Sequence, residues 1–447
     1  MHKINRDNIE KWSLRYYLIK LYVDFSFKFY FPKRIVGIEK INFNDVLIFA
    51  PNHQNALIDA LILLTIRRWQ PVFLARADIF KKPLINKILT LLKILPIYRI
   101  RDGYENLQQN NEIFQKTVDV LNNRNGLVIL PEGNHAGVRR LRQLKKGIAR
   151  IAFGAEDFAD KSLNIKIVPI GLEYSHYYKF GSPMLIHFGE PIPISEHYLK
   201  SKENYALAIK ALIEKLEAGM KKVMINIENE EFYDQYEIIR IQGSVPLLRQ
   251  RDSKINMETL FDAGKAIVSS LDKLQKDDEN SFSNLMNCAK QFNKEIENAG
   301  FKEHPSFYEI NSQASLIFQI PLLLITLPIF LYGLVNNIFP LGIITLISLK
   351  IKDPQFLSSF RFVLGFVLFP IFHLIQIVVF AIVTENWLYT LCYLASLPVS
   401  FLLMQKWRKG FFSAVNRSKL LSFRLSKPKA FFRLKDNFRK IADYCKM

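Results

Sequence analysis

VLIFAPNHQNALID, residues 46–59, decides the fold class. The apolar run from Val46 to Ala50 reads as a buried strand that runs into Pro51, and Ala56, Leu57 and Ile58 open a helical pattern. A strand passing directly into a helix is the unit of an α/β sheet, in which sites form at the carboxyl ends of strands. His53 stands at that point, and Asp59 follows six residues later. A neutral imidazole there can take a proton from an attacking hydroxyl. A carboxylate on its other nitrogen fixes the tautomer and stabilises the imidazolium. One His and one Asp also fit a helix cap beside a surface carboxylate, so the pair needs support from elsewhere in the chain.

The alternation recurs. Apolar runs at 72–75, 94–100, 127–130, 165–172 and 184–188 are separated by helix-like stretches at 84–92, 106–121 and 147–158. This predicts an α/β domain around a largely parallel sheet over residues 33–200. Residues 201–309 are polar and mostly helical, a linker region without visible chemistry. The last third changes character: 310–349, 362–384 and 386–405 contain no Asp, Glu, Lys or Arg. About 20 apolar residues cross a bilayer as a helix, so 310–405 is expected to span it in three or four passes.

Charge agrees with a membrane setting. The 447 residues hold 61 Lys+Arg against 41 Asp+Glu, a net charge of +20, together with 36 Phe. That combination points to anionic membrane lipid as a partner, and no nucleic acid partner is expected. Residues 406–447 form a basic tail with thirteen Lys and Arg against Asp436 and Asp443. Lys350 and Lys352 follow the first apolar block, and Lys406, Arg408 and Lys409 follow the last. Positive-inside reasoning places both flanks, the catalytic domain and the tail in the cytoplasm. In residues 1–32, Trp12, Tyr16, Ile19, Val23 and Phe27 recur at helical spacing, while Arg15, Lys20, Asp24 and Lys28 interrupt any signal-peptide core. The stretch reads as an amphipathic helix, either in the membrane interface or covering the catalytic domain. Cys288, Cys392 and Cys445 lie far apart and read as inert thiols, and no His spacing marks a metal site.

Three further segments complete the pattern. Leu95, Pro96, Ile97, Tyr98 and Arg99 put an arginine at a strand end. Leu130, Pro131, Glu132, Gly133, Asn134 and His135 open a loop after a strand, followed by Arg139, Arg140, Arg142, Lys145 and Lys146. Arginine matches phosphate bidentately and lysine adds point charge. Val168 and Pro169 lie in a fourth apolar run.

In this order and spacing the four segments resemble the glycerolipid acyltransferase superfamily of glycerol-3-phosphate and 1-acylglycerol-3-phosphate O-acyltransferases. The resemblance covers about 33–190. It implies an α/β acyltransferase domain in which His53 is the base, Asp59 its support, Arg99 the acceptor-phosphate ligand, and Glu132, Gly133 and Asn134 part of the acceptor site. It implies an acyl thioester donor, acyl-CoA or acyl carrier protein, a glycerol-phosphate acceptor, and no cofactor. Five residues separate His53 from Asp59, where the commonest family pattern has four. In this the chain resembles the fungal-type glycerol-3-phosphate/dihydroxyacetone-phosphate acyltransferases, and the extra residue has to be absorbed in the turn before the helix. Asn134 stands where the family usually has Thr or Ser.

The expected activity is acyl transfer to glycerol-3-phosphate in phosphatidic acid synthesis. The alternatives are a lysophosphatidate acyltransferase and a non-catalytic lipid-binding scaffold, and the scaffold leaves the four segments unexplained. A transporter is disfavoured by the lack of charged residues within the apolar blocks, and a serine hydrolase by the lack of a Gly-x-Ser-x-Gly elbow. Removing 310–447 spares all four segments, so the truncated chain is expected to keep some chemistry.

Overall fold

The computed structural model describes residues 9–66, 69–97, 109–159, 162–311 and 315–446. The chain divides into two compact units, Met1–Asn226 with Asp353–Ser359, and Ile227–Lys352 with Phe360–Met447.

Among the described residues, the first unit is built on a sheet of eight strands. They are β1 (Lys33–Val36), β2 (Leu47–Pro51), β3 (Val72–Arg76), β4 (Ile94–Ile97), β5 (Leu127–Val128), β6 (Lys166–Tyr174), β7 (Met184–Phe188) and β8 (Ile192–Pro193). The order is β1-β7-β6-β2-β5-β3-β4, with β8 paired to β6. β6, β2, β5, β3 and β4 run parallel as a block, and β7 and β8 are antiparallel to β6. The largely parallel sheet expected from the alternation is therefore present. All five residues of β2 are buried. A central parallel strand is covered on both faces, which is why it reads as an unbroken apolar run rather than an alternating one. Ile48 and Ala50 join a core with Leu121, Ile148, Phe153, Leu212 and Leu216 from the helices Gln109–Asn122, Gly147–Phe158 and Tyr205–Val223. On the opposite face Phe49 meets the rings of Trp69 and Phe188.

Helix Tyr205–Val223 belongs to this unit, so the compact body runs past residue 200 to Asn226. Gly171 in β6 makes that packing possible, because a Cβ there would lie 1.7 Å from the Val223 carbonyl oxygen. Of the predicted stripe, helix α1 (Leu14–Tyr30) buries Tyr16, Val23 and Phe27 and half-buries Ile19, while Trp12 lies exposed before it; Leu14, Leu18, Leu21 and Phe25 are exposed as well. It has one apolar face in the core and one exposed, so it covers the first unit and still presents apolar surface.

The second unit is helical. Tyr233–Gln250, Met257–Asp277 and Glu279–Asn298 are three of its long helices, with Phe261, Leu271, Phe282 and Phe292 buried. The basic C-terminal stretch also packs here: Pro428–Lys446 is a helix that buries Phe431, Leu434, Ile441 and Cys445. Among the described residues, three helices are long and apolar enough to cross a membrane: Leu327–Ser348, Leu357–Thr384 and Trp387–Ser426. Ser315–Ile325 is apolar but has only 11 residues. The three long helices are joined by hydrogen bonds made by polar side chains. Tyr393 Oη donates to Asn336 Oδ1 at 2.5 Å, Gln376 Nε2 donates to the Asn336 carbonyl at 2.8 Å, and His373 Nε2 lies 3.1 Å from Asn337 Oδ1. Polar side chains in an apolar bundle join helices by this kind of bond.

Candidate active site

The site is assembled at the carboxyl end of β2. Asn52 locks that end to β6: Leu172 N donates to Asn52 Oδ1 at 2.6 Å, and Asn52 Nδ2 donates to the Leu172 carbonyl at 3.2 Å. The next residue is His53, whose Nδ1 lies 2.9 Å from Asp59 Oδ2. Asp59 sits in the first turn of α2 (Ala56–Leu64) and is fully buried. The residue added between His53 and Asp59 is taken up where the turn meets the helix. Ala56 adopts φ 43°, a left-handed conformation that costs an L-residue about 1 kcal/mol or more.

Asp59 is held at both oxygens. Oδ2 accepts from Gln54 N at 2.7 Å and Asn55 N at 2.6 Å in addition to the imidazole, and Oδ1 accepts from Tyr174 Oη at 2.6 Å. Burial, and then the Asp59 charge, push the Tyr174 hydroxyl well above its ordinary range, so it stays a donor. Oδ2 is a carboxylate oxygen and can only accept, which leaves Nδ1 protonated and Nε2 as the basic nitrogen of a neutral His53.

Glu132 supports the same loop from below. Its Oε1 accepts from His53 N at 2.8 Å, and its Oε2 accepts from Arg142 N at 3.3 Å. Burial raises its carboxyl to about 7, against the pull of those two N–H groups. A carboxyl raised in the folded state stabilises the protein most below its ordinary value near 4.5, and that contribution is lost as pH rises through about 7. We therefore expect Glu132 to add roughly 2 kcal/mol of stability between pH 8 and pH 5. Glu132→Gln should remove that slope. Melting temperatures of the two purified proteins across this range provide the check, and parallel slopes would show that Glu132 does not titrate there.

Gly133 follows at φ 68°, in the left-handed region, where a Cβ would also approach the Lys145 side chain to 3.3 Å. Asn134 is exposed. Arg99 and Arg101 lie outside the described residues. Among the basic residues after the loop, Arg139 turns inward. Its Nε donates to Glu173 Oε1 at 2.6 Å and its Nη2 to the Tyr174 carbonyl at 2.7 Å, in a buried pair. It ties the loop to β6 and is removed from the phosphate candidates. Arg142 has an exposed side chain, and its Nη1 donates to the His135 carbonyl at 3.3 Å.

Tyr174, the last residue of β6, carries no sequence signal. His135, at the end of the quoted loop segment, lies with its ring 5.2 Å from that of His53, edge to face. Burial, and then the His53 charge, lower its proton affinity below the usual histidine value.

The arrangement, a strand-end imidazole on a buried carboxylate in a mostly parallel α/β sheet, fits a transferase that deprotonates a hydroxyl. The acyltransferase family model matches residues 33–173, which contain His53, Asp59 and Glu132. Those residues are thus similar to an acyltransferase domain. It is 26% identical over 196 residues to glycerol-3-phosphate O-acyltransferase 2 of Saccharomyces cerevisiae, covering 44% of this chain and 25% of that protein. It is 30% identical over 131 residues to glycerol-3-phosphate O-acyltransferase 1 of the same yeast, covering 29% of this chain and 17% of the relative. The matches thus span a quarter or less of the length of those relatives. A solved structure, the 1-acyl-sn-glycerophosphate acyltransferase PlsC of Thermotoga maritima, is 18% identical with a TM-score of 0.30, over 46% of this chain and 81% of that one.

Proposed function

We propose that this chain is a membrane-bound O-acyltransferase that moves a fatty acyl group from a thioester to a hydroxyl of glycerol-3-phosphate in phosphatidic acid synthesis. The observation that carries the reading is the 2.9 Å contact between His53 Nδ1 and a buried Asp59, at a strand end within a domain of this family. The choice of glycerol-3-phosphate is supported by the names of the two yeast relatives and by the five-residue interval between His53 and Asp59.

In this reading His53 Nε2 takes the acceptor hydroxyl proton as the oxygen attacks the thioester carbonyl. The C–O bond forms, the C–S bond breaks, and the thiolate leaves with the proton returned from His53. Asp59 stabilises the imidazolium formed between these steps. Glu132, Gly133 and Asn134 shape the acceptor side, and Arg99 holds the phosphate. The thioester, on coenzyme A or acyl carrier protein, is the co-substrate, and no further cofactor is invoked. The three apolar helices anchor the chain. Lys350, Lys352 and Lys406 to Lys409 favour the cytoplasmic side for the catalytic unit and the C-terminal helix, where basic residues meet anionic lipid.

The test is an assay of membranes containing the full chain, with labelled acyl-CoA or acyl carrier protein. The acceptors are glycerol-3-phosphate, dihydroxyacetone phosphate and lysophosphatidate. Label is expected in lysophosphatidate when glycerol-3-phosphate is supplied. Label confined to phosphatidate made from added lysophosphatidate would move the acceptor assignment, and no labelled product with any acceptor would remove the reading.

A further inference from the structure

A segment far from every motif is built into the catalytic turn. Asp353–Ser359 belongs to the first unit, although the chain on either side of it, up to Lys352 and from Phe360, belongs to the second. The reason lies at the start of α2. The first N–H groups of a helix need acceptors from outside it. Asn55 occupies the N-cap position but gives no capping bond, because its Nδ2 is turned to donate to the Tyr177 carbonyl at 2.9 Å. Leu57 N donates instead to Ser359 Oγ at 3.2 Å, across 302 positions of sequence.

The neighbouring contacts fix that serine. Ser358 and Ser359 are both buried. Ser358 Oγ donates to the same Tyr177 carbonyl that receives Asn55, and Tyr30 Oη donates to the Ser358 carbonyl at 3.2 Å. Upstream, the Phe356 ring meets the His135 ring edge-on at 4.8 Å, and Asp353 Oδ2 lies 3.9 Å from His135 Nε2. His135 in turn borders His53.

We propose that Ser359 is a positioning residue for acyl transfer: its hydroxyl caps α2 from the first turn of the apolar helix Leu357–Thr384 and so holds Asp59 under His53, while Phe356 and Asp353, just before that helix, fix His135 beside the base. Three of the four donors on Asp59 come from residues 53 to 55, immediately before the helix that carries it. They converge on one carboxylate only while the first turn of α2 is wound. That turn receives no cap from Asn55, so the Leu57 N–H needs an acceptor from elsewhere. The proposal rests on the acyltransferase reading above. It adds to the expectation for the truncated chain: cutting before 310 spares the four motif segments but removes the cap, so the chemistry that remains should be slower even on a soluble acceptor.

The experiment uses the full chain purified in detergent, as wild type, Ser359→Ala and Ser359→Thr. Ser359→Ala should lower kcat about tenfold, the rate equivalent of a lost helix cap of about 1.4 kcal/mol. The KM values for donor and acceptor should stay within about twofold, since an effect confined to the transition state appears in kcat. Ser359→Thr, which keeps the hydroxyl, should restore most of the rate. Hydrogen exchange across residues 54–66 should quicken in Ser359→Ala and return to normal in Ser359→Thr. An unchanged kcat in Ser359→Ala, a change in KM alone, or equal loss in both variants would overturn the positioning role. The exchange measurement does not depend on turnover: unchanged exchange in Ser359→Ala tells against the cap itself. A wild-type protein inactive on every acceptor tells against the acyltransferase reading instead.

Discussion

His53→Ala is expected to lower kcat for acyl transfer by about 10²- to 10⁴-fold, the range general-base catalysis supplies. The loss should be chemical rather than structural, and the surroundings of His53 explain why. Asp59 keeps three of its four partners, Gln54 N, Asn55 N and the Tyr174 hydroxyl, when the imidazole is removed. A buried carboxylate with three donors is not left unsatisfied. The main-chain ties of residue 53, its N–H to Glu132 and its carbonyl to Ala136 N at 3.2 Å, do not involve the ring. The variant should therefore express, insert in membranes and melt close to wild type. The measurement is initial rate with labelled donor at saturating acceptor, alongside the melting temperature in detergent. A kcat within about fivefold of wild type would mean that His53 is not the base.

How much of this was legible in the sequence depended on whether the cause was local. The apolar run at 46–50 followed by a helical pattern could be read as strand and helix because a central parallel strand must be apolar on both faces, and β2 is. The uncharged stretches of spanning length are similarly local, and three long apolar helices follow from them. The interval from His53 to Asp59 required an irregular turn, and Ala56 supplies it through a left-handed backbone that no glycine announced. Long-range partners left no such trace. Nothing local distinguishes Arg139 from Arg140 or Arg142, yet Glu173 on β6 draws Arg139 inward. Tyr174 reaches Asp59 only because β6 lies beside β2 in the sheet. Asp353–Ser359 is the extreme case, since its residue types are ordinary for the start of an apolar helix and the partners of Ser358 and Ser359 lie 181 to 328 positions away. The double apolar surface of α1 also exceeds a single-stripe reading, because the exposed Leu14, Leu18, Leu21 and Phe25 fall outside the stripe that packs.

Asp59→Asn is expected to lower kcat by about 10- to 100-fold, well short of the ~10⁴-fold loss known when an amide replaces the aspartate of a serine-protease triad and selects the wrong imidazole tautomer. The difference follows from the donors on Oδ2. Gln54 N, Asn55 N and His53 Nδ1 all converge on this one oxygen, whereas Oδ1 faces only the Tyr174 hydroxyl. An asparagine that placed its NH2 at the Oδ2 position would point it at two backbone N–H groups. Its carbonyl oxygen must take that position, and its NH2 then donates to Tyr174 Oη, which can accept. Nδ1–H of His53 keeps an acceptor, so the tautomer with a basic Nε2 survives. Only the negative charge opposite the imidazolium is lost, a charge-assisted hydrogen bond of about 1.5–3 kcal/mol. Asp59→Ala removes the acceptor as well as the charge and leaves two buried N–H groups unpaired, so it should be slower than Asp59→Asn and less stable. The check is kcat and melting temperature for both variants. A ten-thousandfold loss in Asp59→Asn with unchanged stability would show that the amide turns the other way and that the two backbone donors do not dictate its orientation.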